Sequence, residues 1–307
     1  MRVAIVGGGG GVGASAAFNL LVGGGAHDVV LVDARREMAI SHALDLEQVV
    51  ELAPGGSIRD GDPGDVAAAD VVVLAGGAPL KVNTTRLAYL EDNAAIVREN
   101  LTWLPDGWPG VLLMVTNPVD ALVTWTRRRT GIDRRRIIGY TLNDSLRMRT
   151  AIGQQMGVEP GRVEAWVLGE HGDATVPLWD RVRVDGAPVA LDPAVREAAA
   201  EWMGSWYRRH VALDSGRSST WTSGLGIARM IAALDGDGGE VWPASVVLEG
   251  EYGLSEVAVG VPLRLGRGGV REILEWDLGP EAHAGLARAA GLVAGVAADL
   301  DGHPSPA

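Results

Sequence analysis

Cysteine and lysine are the residue types that this 307-residue chain most clearly lacks. It contains no cysteine, and Lys81 is the only lysine among its 27 basic residues. A chain without thiols has no disulfide, no thiolate nucleophile and no cysteine-ligated zinc, and we predict no metal site. The absence of cysteine also fits a reducing compartment, so we expect a cytoplasmic protein.

Positive charge and long apolar segments are scarce as well. The 39 acidic residues give a formal net charge of −12, and a surface of this sign repels phosphate groups, so we expect no nucleic-acid partner. No uninterrupted apolar stretch approaches membrane-spanning length, and glycines from Gly7 onward end the first apolar run far short of a signal-peptide core. We therefore expect no membrane partner either. With 47% hydrophobic residues, the composition predicts a folded chain.

Two different textures divide the sequence. The first half alternates helices with short runs that are apolar on both faces, which is typical of βαβ units and a parallel sheet. The second half alternates apolar and polar residues in strand-like pieces between helices, which favours a mixed α+β domain with antiparallel strands. The predicted strands are residues 3–6, 29–32, 71–75, 112–115, 163–168, 182–184, 257–265 and 270–276. The predicted helices are residues 89–100, 119–129, 193–210, 220–234 and 281–300.

A glycine-rich turn follows the first predicted strand and opens a helix. Gly8, Gly10 and Gly13 have the Gly-x-Gly-x-x-Gly spacing, in which missing Cβ atoms let the backbone approach a pyrophosphate at a helix N-terminus. About twenty residues later the second strand ends at Asp33, where a carboxylate can bind the ribose hydroxyls of NAD and repel the 2′-phosphate of NADP. The predicted NAD-binding residues here are Gly7, Gly8, Gly10, Gly11, Val12, Gly13 and Asp33.

These features predict an α/β fold in two parts. The first is a doubly wound parallel sheet of the Rossmann type, and the second is a mixed α+β domain with antiparallel strands. We place the boundary near Leu142. This gives an NAD-binding domain over residues 1–142, a substrate-binding and catalytic domain over residues 143–302, and a tail over residues 303–307.

A histidine and two charged residues suggest acid–base chemistry in the second half. His171 lies in a glycine-flanked loop after an apolar strand. Asp144 and Arg147 are three residues apart on a predicted helix, so they project from one face, where one can orient an imidazole and the other can bind an anion. A carboxylate on one imidazole nitrogen fixes the tautomer and favours the protonated ring.

Segments spread along nearly the whole chain add a family resemblance. They are residues 6–13, 32–33, 75–86, 116–118, 144–147, 169–173 and 261–270. Together they resemble the lactate/malate dehydrogenase family, and the separation of Asp144 and His171 along the chain agrees with it. The resemblance implies an NAD-dependent enzyme that interconverts an L-2-hydroxy acid and a 2-oxo acid, with a small molecule as substrate and a homodimer or homotetramer as assembly.

The same resemblance implies a role for each matching residue. His171 would be the general base, held by Asp144, and Arg147 would bind the substrate carboxylate with its two-pronged guanidinium. Arg86 would close over the substrate and polarise its C2 oxygen. Further implied contacts are Asn117 with the substrate and nicotinamide ribose, and Asn93 and Val115 with the cofactor.

The chain departs from the family at the residues that read the substrate. Leu80 occupies the position where malate enzymes of the family usually have Arg and lactate enzymes have Gln, and leucine cannot pair with a second carboxylate. Lys81 follows it in the same loop. Asn143 replaces a common Leu, and Ser219 aligns loosely with small polar residues that close the pocket. We predict all four as substrate-binding residues.

Three classes of function can be weighed on these residues: a 2-hydroxy acid dehydrogenase, a non-catalytic NAD-binding sensor and an NAD-dependent glycosidase. Malate and oxaloacetate are the expected substrate pair, and the alternative is a more apolar or bulkier 2-oxo acid, of the lactate or hydroxyisocaproate type. A non-catalytic NAD-binding sensor would have lost His171, Asp144, Arg147 or Arg86, yet all four are present. An NAD-dependent glycosidase generally relies on a cysteine-ligated metal, which a chain without cysteine lacks.

Overall fold

The structure, a computed structural model, describes residues 1–25, 27–53, 55–78, 86–217, 219–236 and 238–301. The predicted substrate-loop residues Leu80 and Lys81 lie outside the described residues, as does the predicted tail over residues 303–307. The backbone of Arg86 is described and its side chain is not.

Parallel strands form the first half of the main sheet. Their residues pack on both faces: Val3 and Ile5 belong to one buried cluster, and Ala4 and Val6 belong to another. This double burial explains the continuous apolar runs, and the four predicted strands are confirmed to within a residue or so at their ends. The bounds are β1 Arg2–Val6, β2 Asp28–Val32, β3 Ser57–Asp60, β4 Val71–Leu74, β5 Val111–Met114 and β6 Ile137–Tyr140. Their order in the sheet is β3-β2-β1-β4-β5-β6.

Helices cover this sheet and continue through the second half. The helix that follows β5 ends at Thr130, and Gly131 caps it in the left-handed conformation with φ +64°, as the glycine at that position predicts. No helix in the described ranges is long and apolar enough to cross a bilayer. The bounds are α1 Gly11–Val22, α2 Arg36–Val50, α3 Pro63–Ala67, α4 Arg86–Leu101, α5 Val119–Thr130, α6 Leu142–Met156, α7 Pro193–Val211, α8 Thr220–Asp235 and α9 Pro280–Asp301.

Antiparallel strands of the second half extend the same sheet. β12 (Val241–Glu249) pairs with β6 on one side and with β13 (Ser255–Gly266) on the other. Within the described residues the sheet therefore has 11 strands, and its parallel and antiparallel parts are continuous. The remaining strands are β7 Val163–Glu164, β8 Val167–Gly169, β9 Thr175–Pro177, β10 Arg183–Val184, β11 Ala187–Pro188 and β14 Gly269–Ile273.

The strands of the second half differ from the sequence prediction in several places. β9 and β11 are not among the predicted strands, and β14 ends at Ile273 rather than at residue 276. The strand predicted over residues 163–168 is wrong as a single unit, because β7 pairs with β10 in a separate three-stranded sheet and β8 pairs with β9 and β13 in the main sheet. The long central strand β12 was not predicted at all. Its Pro243 is of a residue type that usually indicates an edge strand or a loop.

Candidate active site

The glycine turn after β1 has a backbone shape that excludes side chains. Gly7 has φ +91°, and a Cβ there would lie 2.4 Å from the amide nitrogen of Gly76. A Cβ on Gly13 would lie 2.4 Å from the carbonyl oxygen of Gly7. Gly10 precedes α1 in an extended conformation and offers no side-chain cap. Gly11, Val12 and Gly13 form the first turn of α1, where the backbone amides have no partner within the helix, and such a helix N-terminus fits the pyrophosphate of a dinucleotide.

Asp33 follows β2 and stands beside this turn. Its Oδ2 accepts a hydrogen bond from the Gly9 amide at 2.9 Å, and its Oδ1 accepts one from the Arg35 amide at 2.9 Å. The side chain is 11% exposed. A carboxylate fixed at the carboxyl end of β2, next to the glycine turn, fits the adenosine ribose of NAD.

Asn93 of α4 joins two loops at the carboxyl edge of the sheet. Its side chain is fully buried, accepts from the Ala78 amide at 2.7 Å and donates to the Asn117 carbonyl oxygen at 2.7 Å. Both of its hydrogen bonds in the described residues go to protein backbone. Asn117 itself is exposed, and with Val115 it lines the large cleft described below.

His171, Asp144 and Arg147 meet around one carboxylate. Asp144 Oδ2 lies 2.5 Å from His171 Nδ1, and Asp144 Oδ1 accepts from an Arg147 guanidinium nitrogen at 3.1 Å. Burial disfavours the charged imidazole, but the neighbouring Asp144 carboxylate outweighs it and raises the pKa of His171. The bond at Nδ1 leaves Nε2 as the ring nitrogen available for proton transfer.

A second carboxylate, which sequence reasoning missed, lies behind the histidine. Asp120 of α5 accepts a hydrogen bond from the backbone amide of His171 at 2.7 Å. It is 2% exposed, and burial raises its pKa to about 6. Asp120 comes three residues after Asn117, but nothing in that spacing indicates contact with a loop 51 residues away.

An aromatic side chain covers Arg147. The guanidinium carbon of Arg147 lies 4.1 Å from the centre of the Trp206 ring, and Trp206 stacks on His210 with ring centres 5.0 Å apart. Burial lowers the pKa of Arg147. Trp202 and Trp206 lie one helical turn apart on α7, a spacing that in sequence alone indicates packing against a core or a subunit interface. For Trp206 the structure adds a contact with the anion-binding candidate.

Asn143 is the centre of a polar cluster on the floor of the cleft. It is 5% exposed, accepts from the Tyr140 hydroxyl at 2.9 Å, and donates to the hydroxyls of Ser223 at 2.9 Å and Ser219 at 3.4 Å. The network joins α6 to α8. Thus Asn143 and Ser219, both predicted as substrate-binding, touch each other, while sequence reasoning did not select Tyr140 or Ser223.

These groups converge on one cleft of about 1170 Å³. Val12, Asn117, Asp144, Arg147 and His171 all line it, so the cofactor turn and the charged cluster open onto the same space. Further lining residues are Tyr89, Asp120, Tyr140, Asn143, Trp179, Met203, Trp206, Tyr207, His210, Ser219 and Ser223.

Comparison with protein families identifies both halves. Residues 1–139 match the model described as lactate/malate dehydrogenase, NAD binding domain. Residues 141–292 match the model described as lactate/malate dehydrogenase, alpha/beta C-terminal domain.

Individual proteins of two kinds resemble the whole chain. The malate dehydrogenase of Natronomonas pharaonis is 37% identical over 284 residues, covering 90% of this chain and 92% of that protein. The L-lactate dehydrogenase of Geobacillus kaustophilus is 33% identical over 306 residues, covering 97% and 96%. Among solved structures, the malate dehydrogenase from Salinibacter ruber superimposes with a TM-score of 0.89 at 30% identity, covering 98% of each chain.

Proposed function

The chain belongs to the lactate/malate dehydrogenase family and is an NAD-dependent oxidoreductase of 2-hydroxy acids, and from that premise we propose how its residues divide the reaction. Residues 1–142 bind the cofactor, and residues 143–302 bind the substrate and carry the acid–base group. The observation that carries the proposal is the pair of contacts that Asp144 makes with His171 and Arg147.

His171 is the proton-transferring residue. Its Nε2 takes the proton of the substrate hydroxyl during oxidation and returns it to the carbonyl oxygen during reduction, while Asp144 holds Nδ1. When bound, NAD⁺ would accept a hydride from the substrate carbon that bears this oxygen, and NADH would supply the hydride in the reverse direction. The raised pKa of His171 supports this role, because reduction needs a protonated imidazole.

Arg147 orients the substrate. Its planar fork binds the C1 carboxylate, with Asp144 and Trp206 limiting its movement. Asn117, which is exposed on the cleft wall, contacts the substrate and the nicotinamide ribose. Arg86 polarises the C2 oxygen of the substrate, a role that rests on the resemblance.

The cofactor residues hold NAD through backbone and one carboxylate. Gly7, Gly8, Gly10, Gly11, Val12 and Gly13 surround the pyrophosphate. Asp33 binds the ribose hydroxyls, which selects NAD over NADP. Val115 lines the nicotinamide end, and Asn93 supports that wall by holding the backbone of Asn117.

Malate and oxaloacetate are the proposed substrate pair, in line with malate dehydrogenases among the relatives at 34–37% identity. L-lactate dehydrogenases match at 33–35% identity, so the choice between the two rests on the test below. The second candidate is a bulkier or more apolar 2-oxo acid. It is favoured by Leu80 in the substrate loop and by the aromatic side chains of Trp206 and Tyr207 at the cleft.

A panel of 2-oxo acids tests this choice. NADH oxidation is followed with oxaloacetate, pyruvate, 2-oxoisocaproate, phenylpyruvate and hydroxypyruvate, and the highest kcat/KM is expected for oxaloacetate. A preference for 2-oxoisocaproate or phenylpyruvate would replace malate by the second candidate. No turnover with any of them would contradict the catalytic proposal and leave an NAD-binding sensor.

Two variants locate the selectivity. Leu80→Arg should raise oxaloacetate turnover relative to pyruvate, because arginine can pair with the second carboxylate. Lys81→Arg keeps the charge beside it and is the matched comparison. If Leu80→Arg leaves the ratio of oxaloacetate to pyruvate turnover unchanged, Leu80 does not select the substrate, and Asn143 and Ser219 become the candidates.

We also propose a cytoplasmic homo-oligomer. α1 and α8 pack against each other, and both leave apolar side chains exposed: Phe18 and Val22 on α1, Trp221 and Leu225 on α8. Such a surface supports burial against a second copy. Light scattering should give at least twice the monomer mass, and a monomer at micromolar concentration would overturn the assembly.

A further inference from the structure

Asp120 is a buried acid whose position the roles above do not explain. It stands in the first turn of α5, and its Oδ2 accepts from the backbone amide of His171 at 2.7 Å. Its Oδ1 has no hydrogen bond within the described residues, although the Ser245 hydroxyl of β12 lies close and favours the charged form. A carboxylate half-satisfied in the core is costly, so its retention calls for a reason.

The hydrogen bond from His171 gives one reason. Asp144 of α6 binds the imidazole ring, and Asp120 of α5 binds the backbone of the same residue. Two carboxylates on two helices therefore hold His171 at two points, its backbone amide and its ring nitrogen Nδ1. Because the backbone and the ring nitrogen are both held, the position of Nε2 in the cleft is determined.

The charge of Asp120 gives a second reason for a buried acid at this position. Burial raises its pKa to about 6, against the lowering influence of Ser245 and of the His171 amide, so the group is mostly ionised at neutral pH. Among the described residues, Asp144 and Arg147 from α6 and Asp120 from α5 act on the charge of the His171 imidazole. The Glu170 carboxylate from the same loop acts on Asp120. The Asp120 charge favours the imidazolium, as the Asp144 charge does.

We propose that Asp120 is a positioning residue for the dehydrogenase reaction, which fixes the His171 backbone and places a second negative charge behind the imidazole. The inference rests on the proposed role of His171. It assigns to Asp120 no contact with substrate or cofactor, and it predicts an effect on turnover rather than on binding.

Two substitutions separate the hydrogen bond from the charge. Asp120→Asn keeps an oxygen that can accept from the His171 amide and removes the charge. It should lower the imidazole pKa of His171, with a smaller shift than Asp144→Asn gives, and reduce kcat for 2-oxo acid reduction. Asp120→Ala removes both, and since a displacement of about 1 Å at a reacting group can cost roughly 100-fold in rate, kcat should fall by that order with the KM and the NADH Kd unchanged.

Thr124→Val is the matched structural control. Thr124 lies one turn further along α5, is 1% exposed, and accepts a buried hydrogen bond from the Ala258 amide at 2.9 Å. Its hydroxyl donates to the backbone carbonyl oxygen of Asp120 at 2.8 Å, so it contacts the backbone of Asp120 and not its carboxylate. Its replacement should lower the Tm and leave kcat and the His171 pKa at wild-type values. The measurements are steady-state kinetics, NADH fluorescence titration, and NMR titration of the imidazole, assigned with His171→Asn.

The outcomes are distinct from those for the function itself. If wild-type protein turns over a 2-oxo acid, while Asp120→Asn leaves both kcat and the His171 pKa unchanged, the inference about Asp120 is overturned. If Asp120→Ala and Thr124→Val reduce kcat equally, Asp120 acts only through stability and the inference also fails. Absence of wild-type turnover contradicts the proposed function, and the NMR titration still tests the Asp120 charge.

Discussion

The turn after β1 and the cluster around His171 are built from different parts of the chain. The turn is continuous in sequence, and residues 7–13 shape it with their backbone, where a Cβ at Gly7 or Gly13 would collide with main-chain atoms. The cluster is discontinuous, because α5, α6 and the loop after β8 each supply a side chain. The first region is sensitive to added volume and the second to altered charge. Each should therefore fail in its own way, one in cofactor binding and the other in turnover.

The largest effect should follow from adding volume to the turn. In Gly13→Val the new Cβ would lie 2.4 Å from the Gly7 carbonyl oxygen, so the turn must open. NADH binding should become undetectable by fluorescence titration, and strain of this kind costs about 1–3 kcal/mol of stability. Gly291→Ala, in α9 with no atom within 4 Å of the new Cβ, is the control and should bind NADH normally. Retained NADH binding in Gly13→Val would remove the distinction between the two regions.

The next largest effect should follow from removing the Asp144 carboxylate, which contacts both His171 and Arg147. Asp144→Asn should lower kcat for 2-oxo acid reduction by about 100-fold, within the range for general acid–base groups, with little change in NADH affinity. The pH dependence of the reduction rate should also shift, in a direction that the His171 pKa determines. Reduction needs protonated His171, so its rate falls as pH rises through the His171 pKa, which Asp144 raises. Without that carboxylate, burial dominates and the fall should occur at lower pH. A profile identical to wild type would show that Asp144 does not control the imidazole.

A smaller effect should appear in substrate binding alone. Arg147→Lys replaces a fork with a point charge, and hydrogen bonds to charged groups contribute about 1.5–3 kcal/mol, so KM for the 2-oxo acid should rise roughly 10-fold to 100-fold. NADH affinity should not change. Arg149→Lys, on the same helix with its guanidinium on the Ala165 carbonyl oxygen, is the comparison. An equal rise in KM in both variants would show that the rise does not come from the loss of the two-pronged Arg147 guanidinium.

The smallest effect should come from the aromatic cover on Arg147. Trp206→Leu removes a cation–π contact of about 0.5–2 kcal/mol, so KM should rise a few-fold while kcat changes little. Trp202→Leu removes an aromatic side chain one turn away, which contacts Arg209 instead. It should leave KM unchanged. The account of Trp206 fails if the two variants cannot be distinguished.

The fold could be predicted where local pattern and final environment agree. Strands β1, β2, β4 and β5 are apolar on both faces because helices cover both faces. Their continuous apolar runs therefore indicate this double burial from the sequence alone. The break between β7 and β8 could not be predicted, because it follows from pairing with two different sheets. β12 could not be predicted for a related reason. Proline is disfavoured in a central strand, and only pairing with β6 and β13 makes the segment around Pro243 one.

The site residues also divide into those that local sequence indicates and those that only the folded structure reveals. The glycine turn and Asp33 are local features, and the spacing of Asp144 and Arg147 on one helix already placed them together. Asp120 and Trp206 could not be selected, because their importance comes from contacts with His171 and Arg147 that the chain makes only after folding. The resemblance supplied Arg86, Asn93 and Asn117, which are ordinary polar residues when seen alone.

Single-turnover kinetics of His171→Asn is the most direct test that chemistry and cofactor binding belong to different regions. The variant is saturated with NADH, mixed with the 2-oxo acid that the wild-type protein uses best, and followed by the loss of NADH absorbance. NADH should bind as in the wild-type protein, while the rate of its oxidation should fall by about 10²–10⁴-fold. A rate near that of the wild type would contradict the account and place the proton-transferring group elsewhere.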